Sequence, residues 1–156
     1  MNYIIDAYNL IGKLNNISLS DSNKEETLIK LIKQLEKNTK DYFILIFDGK
    51  NKETPFQSTQ NINQIKIIFT DTLESADEYI IRFIKTISNK KTSIIVSSDN
   101  EIKYKCKKHK LTCINSESFF RYHSKQKKTT TEHDYQPNKT EINYWLNKFN
   151  TNNKKK

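Results

Sequence analysis

Three aspartates follow short apolar runs in this chain: Asp6 after Tyr3-Ile4-Ile5, Asp48 after residues 42–47, and Asp99 just beyond residues 93–96. A fourth, Asp77, lies early in an apolar-periodic segment. Carboxylates gathered in one pocket repel one another and raise each other's pKa unless a divalent cation holds them ionised. An all-oxygen set of this kind suits Mg²⁺ or Mn²⁺. Such an ion keeps several waters, can activate one of them, and can neutralise a phosphate in an in-line displacement. Asn9 does not ionise, and it fits orienting a carboxylate, a water or a substrate. Aspartate is common after strands and at helix starts, so the four acids carry meaning only as a set.

The elements that must position them alternate. Apolar runs at residues 3–5, 42–47, 65–69, 93–96 and 111–114 predict strands. The run at 42–47 is apolar throughout, as a strand covered on both faces requires. Helices are expected over 24–37 (Leu28, Leu31, Ile32, Leu35), over 73–87 (Leu73, Ala76, Ile80, Phe83, Ile84, Ile87), over the lysine-rich 100–110, and from Ser116 through Phe119, Phe120 and Tyr122. Asp71 and Glu74 have capping-box spacing ahead of the second of these. Residues 10–23 and 50–63 read as polar loops.

This alternation predicts an α/β fold with a mainly parallel sheet. Right-handed crossovers then bring Asp6, Asp48 and Asp99 out at one edge, where open sheets place their chemistry. The helix after the third strand starts at that edge too. At roughly 100° per residue, with Ile80 central on the buried face, Asp77 lies about 60° away, Glu74 about 120° and Glu78 about 160°. Asp77 alone borders the sheet; Glu74 could reach the rim and Glu78 faces solvent.

The chain has 156 residues, the length of one domain. We expect one folded domain over 1–123, a polar linker over 124–138, a short amphipathic helix over 139–149 (Ile142, Trp145, Leu146, Phe149), and a disordered basic tail over 150–156. That helix would dock on its own domain or on a partner. A net charge of +9 and a pI near 9.4 favour a polyanionic partner, nucleic acid first; the plainer reading is solvated lysine in a Lys- and Asn-rich chain. Two cysteines make no disulfide framework, and a secretory leader or membrane span is not legible. The expectation is a cytoplasmic protein without a membrane partner. Only two glycines occur, which excludes glycine-rich phosphate loops.

Four motifs in order, Asp6-Ala7-Tyr8-Asn9, Phe47-Asp48-Gly49, Glu74-Ser75-Ala76-Asp77-Glu78 and Val96-Ser97-Ser98-Asp99, resemble those of NYN-domain, YacP-like nucleases of the PIN superfamily. The resemblance covers residues 1 to about 123. It implies a PIN-like three-layer α/β/α fold and metal-dependent endoribonuclease activity on single-stranded RNA, with Asp6, Asn9, Asp48, Asp77 and Asp99 as the site. Asp6, Asp77 and Asp99 would bind Mg²⁺ or Mn²⁺, Asp48 would bind directly or through water, and Asn9 would position a partner. The products expected of the superfamily are a 5′-phosphate and a 3′-hydroxyl. Ala7 departs from the glycine usual there and could narrow backbone approach. Lys13, Lys50, Lys52 and Ser98 are candidate substrate contacts, and the C-terminal helix could serve a ribosome or protein partner.

Other signals rank lower. Cys106, His109 and Cys113 superficially resemble zinc spacing but offer only three ligands. The plainer reading is a partly buried helical Cys106, a surface His109 and a core Cys113. His123 and His133 read as surface residues. Lysines 103, 105, 107, 108 and 110 with Tyr104 form either an RNA-tracking face or a solvated one. Two further functions were weighed: an RNA-binding module that keeps the fold without turnover, and an aspartate-nucleophile phosphatase. The latter normally wants a second acid where this chain has Tyr8.

Overall fold

The computed structural model describes residues 1–49 and 56–128. Six strands form one sheet: β1 (Asn2–Asp6), β2 (Tyr42–Phe47), β3 (Ser58–Ile62), β4 (Ile65–Phe69), β5 (Ser93–Val96) and β6 (Thr112–Ile114), in the order β3-β4-β2-β1-β5-β6. All neighbours pair parallel except the edge strand β3, which runs antiparallel to β4. The helices are α1 (Ala7–Lys13), α2 (Lys24–Glu36), α3 (Ala76–Ile84), α4 (Asn100–Lys108) and α5 (Phe119–Lys128), with a 3-10 turn at Ser116–Ser118.

Strand alternation divides the core into two layers. Tyr3, Ile5, Phe43, Leu45, Phe47, Ile94 and Val96 face α1, α2 and α5. Ile4, Ile44, Ile46, Ile68 and Ile95 face α3 and α4. The result is a three-layer α/β/α domain. Burying each such side chain contributes about 1.5–3 kcal/mol, and Leu45→Ala at the centre of β2 would cost about 2–5 kcal/mol.

Several elements differ from the sequence expectation. The first "loop" begins as α1, because Ala7, Leu10 and Ile11 recur at helical spacing and all are buried. The second contains β3, a polar strand with one partner that pairs Ile62 with Ile65 around a two-residue turn. Asn63 takes φ 51° in that turn, a left-handed conformation asparagine tolerates. Helix α3 starts later than expected. Its capping box is Ser75–Glu78, whereas Asp71 accepts from the Leu73 and Glu74 amides at 2.8 and 2.9 Å and shapes the preceding turn. Leu73 is therefore outside the helix and 93 % exposed. Helix α5 runs to Lys128, past the expected linker start. The expected C-terminal helix, Lys50, Lys52 and His133 lie outside the described residues. No described helix is long and apolar enough to cross a membrane.

Candidate active site

Parallel pairing fixes where the acids emerge. Asp6 ends β1 level with Ile46 of β2, and Ile5 is level with Val96 of β5. Asp48 and the Ser97-Ser98-Asp99 segment therefore leave the sheet on the same side as Asp6. The loop ends are tied together: Gly49 donates its amide to the Thr70 hydroxyl at 2.9 Å, and Thr70 donates its own to the Phe47 carbonyl at 3.0 Å. Thr70 thus joins the ends of β2 and β4 beneath Asp48.

The central contact is between Asp6 and Asp77, whose carboxyls share a hydrogen bond. Asp6 is only 4 % exposed. Burial, then the charge and hydrogen bond of Asp77, push its carboxyl up to about 7; the Ser97 hydroxyl and the Asn9 backbone amide oppose this. Asp77 is half-buried and also raised, first by burial and then by Asp99, Asp48 and Glu101, while its hydrogen bond with Asp6 pulls it down. Burial and mutual repulsion therefore raise both carboxyls above their ordinary range. Helix α3 presents Asp77 because its capping box fixes the first turn and Ala76, Tyr79, Ile80 and Ile84 bury the adjoining face.

The other two acids act on this pair at longer range. Asp99 caps α4, its Oδ1 accepting from the Ile102 amide at 3.0 Å, which holds the carboxylate still. Ser97 serves both, donating its hydroxyl to Asp6 Oδ2 at 3.1 Å and accepting the Asp99 amide at 3.1 Å. Among the described residues, no three His, Cys, Asp or Glu side chains lie close enough to form a ready metal cage. Glu74 is committed to Arg82, both oxygens engaged at 2.9 Å, and Glu78 to the α3 cap.

Asn9 is turned towards the chain rather than outwards. Its Oδ1 accepts from the Ser98 amide at 2.9 Å and the Ser116 hydroxyl at 2.7 Å, joining α1 to the Asp99 loop and the 3-10 turn. Ser116 opens the 3-10 turn ahead of α5 and gives its hydroxyl to Asn9. Ser98 is likewise engaged, with Glu117 and the Ser116 amide. Lys13 is exposed in the last turn of α1. The Ala7 methyl is packed in the core and takes no room from the site edge.

Sequence reasoning missed Tyr8, Thr70 and Ser97. The Tyr8 hydroxyl donates to Glu25 at 2.6 Å and its ring packs edge-on to Phe47, so α2 braces the site strand. Burial, Glu25 and nearby Asp48 all raise its pKa. The spacing Ser97-x-Asp99 was the available signal for Ser97.

His123 is a correction. It is 1 % exposed, packed on Tyr3 and Phe43, and its Nε2 lies 3.0 Å from Asp41 at the opposite edge of the sheet. Its place one turn after Phe119 puts it on the buried face of α5. The cysteines are also reversed: helical Cys106 is buried and Cys113 half-buried.

A family model described as the YacP-like NYN domain matches residues 3–156, beyond the span of the four motifs. No curated protein matches. Among solved structures, Rae1 (YacP) from Bacillus subtilis is similar at 21 % identity and TM-score 0.61, covering 83 % of this chain and 77 % of that one. Its tryptophan-to-leucine mutant is similar at 20 % identity and TM-score 0.63, covering 82 % and 77 %. At these identities the likeness is one of fold.

Proposed function

The chain belongs to the YacP-like NYN domain family, and from that premise and the acid geometry we propose that it is a metal-dependent endoribonuclease acting on single-stranded RNA. The observation that carries this reading is the Asp6–Asp77 contact, two carboxyls held together at the edge of the sheet with Asp48 and Asp99 adding negative charge.

The donor set fits Mg²⁺ or Mn²⁺. All candidate ligands are carboxylate oxygens, and such ions bind through one or two carboxylates while keeping several waters, so a closed cage is not needed. Asp6 and Asp77 would hold the ion, with Asp99 as third ligand and Asp48 acting directly or through water. A bound cation supplies neutralisation of phosphate charge and a water of lowered pKa.

The protein's own groups do the rest. Asp6, raised by burial and by Asp77, would be ionised with a bound cation opposite it, its proton passing to solvent. Ser97 holds the Asp6 carboxylate and the Asp99 loop in one orientation, and the α4 cap fixes Asp99. Asn9 positions that loop through Ser98 and Ser116. Hydrolysis leaves a 5′-phosphate and a 3′-hydroxyl.

The direct test is cleavage of a labelled single-stranded RNA with Mn²⁺. Activity that survives both EDTA and Asp77→Asn in a pure preparation would overturn the mechanism. The second reading, an RNA-binding module without turnover, draws on the net charge of +9, which serves binding without requiring catalysis. RNA binding at low salt with no Mn²⁺-dependent cleavage would select it. A ribosome or protein partner for the C-terminal segment is a further proposal, tested by co-sedimentation of the chain with and without residues 139–156.

A further inference from the structure

The Ser98 hydroxyl, a candidate substrate contact, is already occupied by an anion. It donates to Glu117 Oε2 in a short hydrogen bond and accepts the Ser116 amide at 3.0 Å. Glu117 is exposed on the 3-10 turn, so core packing does not demand its position. Two lysines stand on the neighbouring helices. Lys13 follows Asn9 by one turn of α1, and Asn9 is bonded to Ser98 and Ser116, so Lys13 is carried on that face. Lys103 follows Asp99 by one turn of α4. The Ser98 hydrogen bond first, then the backbone amide of Glu117 itself, and last the Lys13 and Lys103 charges through space hold the Glu117 carboxyl below its ordinary range. One hydroxyl donor on the carboxylate, with two cations acting on it through space, is the kind of set that recognises a phosphate oxygen.

We propose that Ser98, Lys13 and Lys103 form a phosphate subsite beside the acid cluster, filled in the free protein by the chain's own Glu117 carboxylate and entered by an RNA phosphate that displaces it. Its choice of RNA as ligand rests on the nuclease reading; the subsite itself does not. Ser98 precedes Asp99 directly, so the phosphate held here neighbours the one under attack. Glu117 acts as a tethered competitor that lowers RNA affinity in the free protein. The Ser116–Ser98 bond remains when Glu117 leaves, so the loop keeps its anchor.

The test measures binding of a short labelled single-stranded oligoribonucleotide in EDTA, where turnover is blocked, alongside calorimetric titration with inorganic pyrophosphate. Glu117→Gln keeps an acceptor for Ser98 and removes the charge. It should tighten RNA about three- to tenfold at low salt, with the gain shrinking as salt rises. Lys13→Ala and Lys103→Ala should weaken binding, and more so in the Glu117→Gln background. RNA binding by the unaltered protein that Glu117→Gln leaves unchanged or weakens, with the melting temperature retained, would overturn the subsite and spare the nuclease reading. Tighter pyrophosphate binding by Glu117→Gln with no RNA binding by any form would uphold the subsite and remove RNA as its ligand. Failure of both ligands would overturn the subsite, and the nuclease reading is judged separately by cleavage of the same RNA with Mn²⁺.

Discussion

Asp6 and Asp41 sit at opposite ends of the same pair of central strands, and they are treated in opposite ways. Asp41, just before β2, accepts from the Met1 amino group at 2.9 Å through one oxygen and faces the His123 imidazole at 3.0 Å with the other. Asp6, closing β1, faces another carboxyl and is pushed up to about 7. Among the described residues, no ion pair involves Asp6 or Asp77. One end of the sheet satisfies its acid and so gains stability; the other crowds its acids and so loses some. Unlike the Asp41 end, the Asp6 end would be relieved by a ligand of opposite charge, as the proposed function requires.

The largest test of that contrast uses Asp77→Asn. Cleavage should fall by about a thousandfold, as expected when a ligand stabilising phosphate charge is lost. The metal-free protein should nevertheless melt higher than the unaltered one at pH 8, because a like charge has gone. A variant both inactive and less stable in EDTA would mean that Asp77 supports the fold, and the contrast with Asp41 would break.

Next in size is the pH dependence of stability. In the unfolded chain Asp6 has the ordinary 3.8, and in the fold it lies near 7. Between these values the native state holds the proton that the unfolded state has lost. Stability of the metal-free protein should therefore fall as pH rises from about 4 to about 7 and then level off, by about 1.4 kcal/mol for each pH unit at most. Saturating Mn²⁺ should flatten the fall. Melting curves in EDTA across this range are sufficient, and a stability that rises with pH would refute the assignment of Asp6.

Asp41→Ala should do the reverse of Asp77→Asn. It removes the partner of a buried imidazole and costs about 1–3 kcal/mol. Cleavage below the melting range should remain at the level of the unaltered protein. Urea denaturation and a parallel rate measurement separate the two effects, and a large loss of rate without loss of stability would contradict the division between the ends.

Much of this contrast could be read before the structure. The buried parallel strands announced themselves as continuous apolar runs, and β2, β4 and β5 match their predicted limits. Asp77 was separable from Glu74 and Glu78 by helix angle alone. What escaped was polar or short. β3 carries one partly buried residue, Ile62, so its strand character comes from backbone pairing with β4 rather than from a pattern. Helix α1 offers only two turns, and its apolar spacing was hidden behind a motif read for chemistry. His123 looked like a surface residue because polar neighbours mask the Phe119 periodicity. Ser97, Thr70 and Ser116 join the ends of distant strands, and such pairings depend on sheet order.

The smallest predicted effect asks whether those neutral bridges matter to the reaction. Ser116→Ala removes one of two donors to Asn9 Oδ1, while the Ser98 amide still reaches it and the Ser116 amide still reaches Ser98. The stability cost should be about 1 kcal/mol, below that of Asp41→Ala. Yet the bond lies next to the loop that carries Asp99, so the cleavage rate should fall about three- to tenfold with RNA affinity unchanged, and Ser116→Thr should restore it. Asp41→Ala provides the control, because it loosens the fold more but at the far edge. If Ser116→Ala cleaves at the normal rate, strand geometry and the α4 cap alone hold Asp99, and Asn9 is left with a structural part.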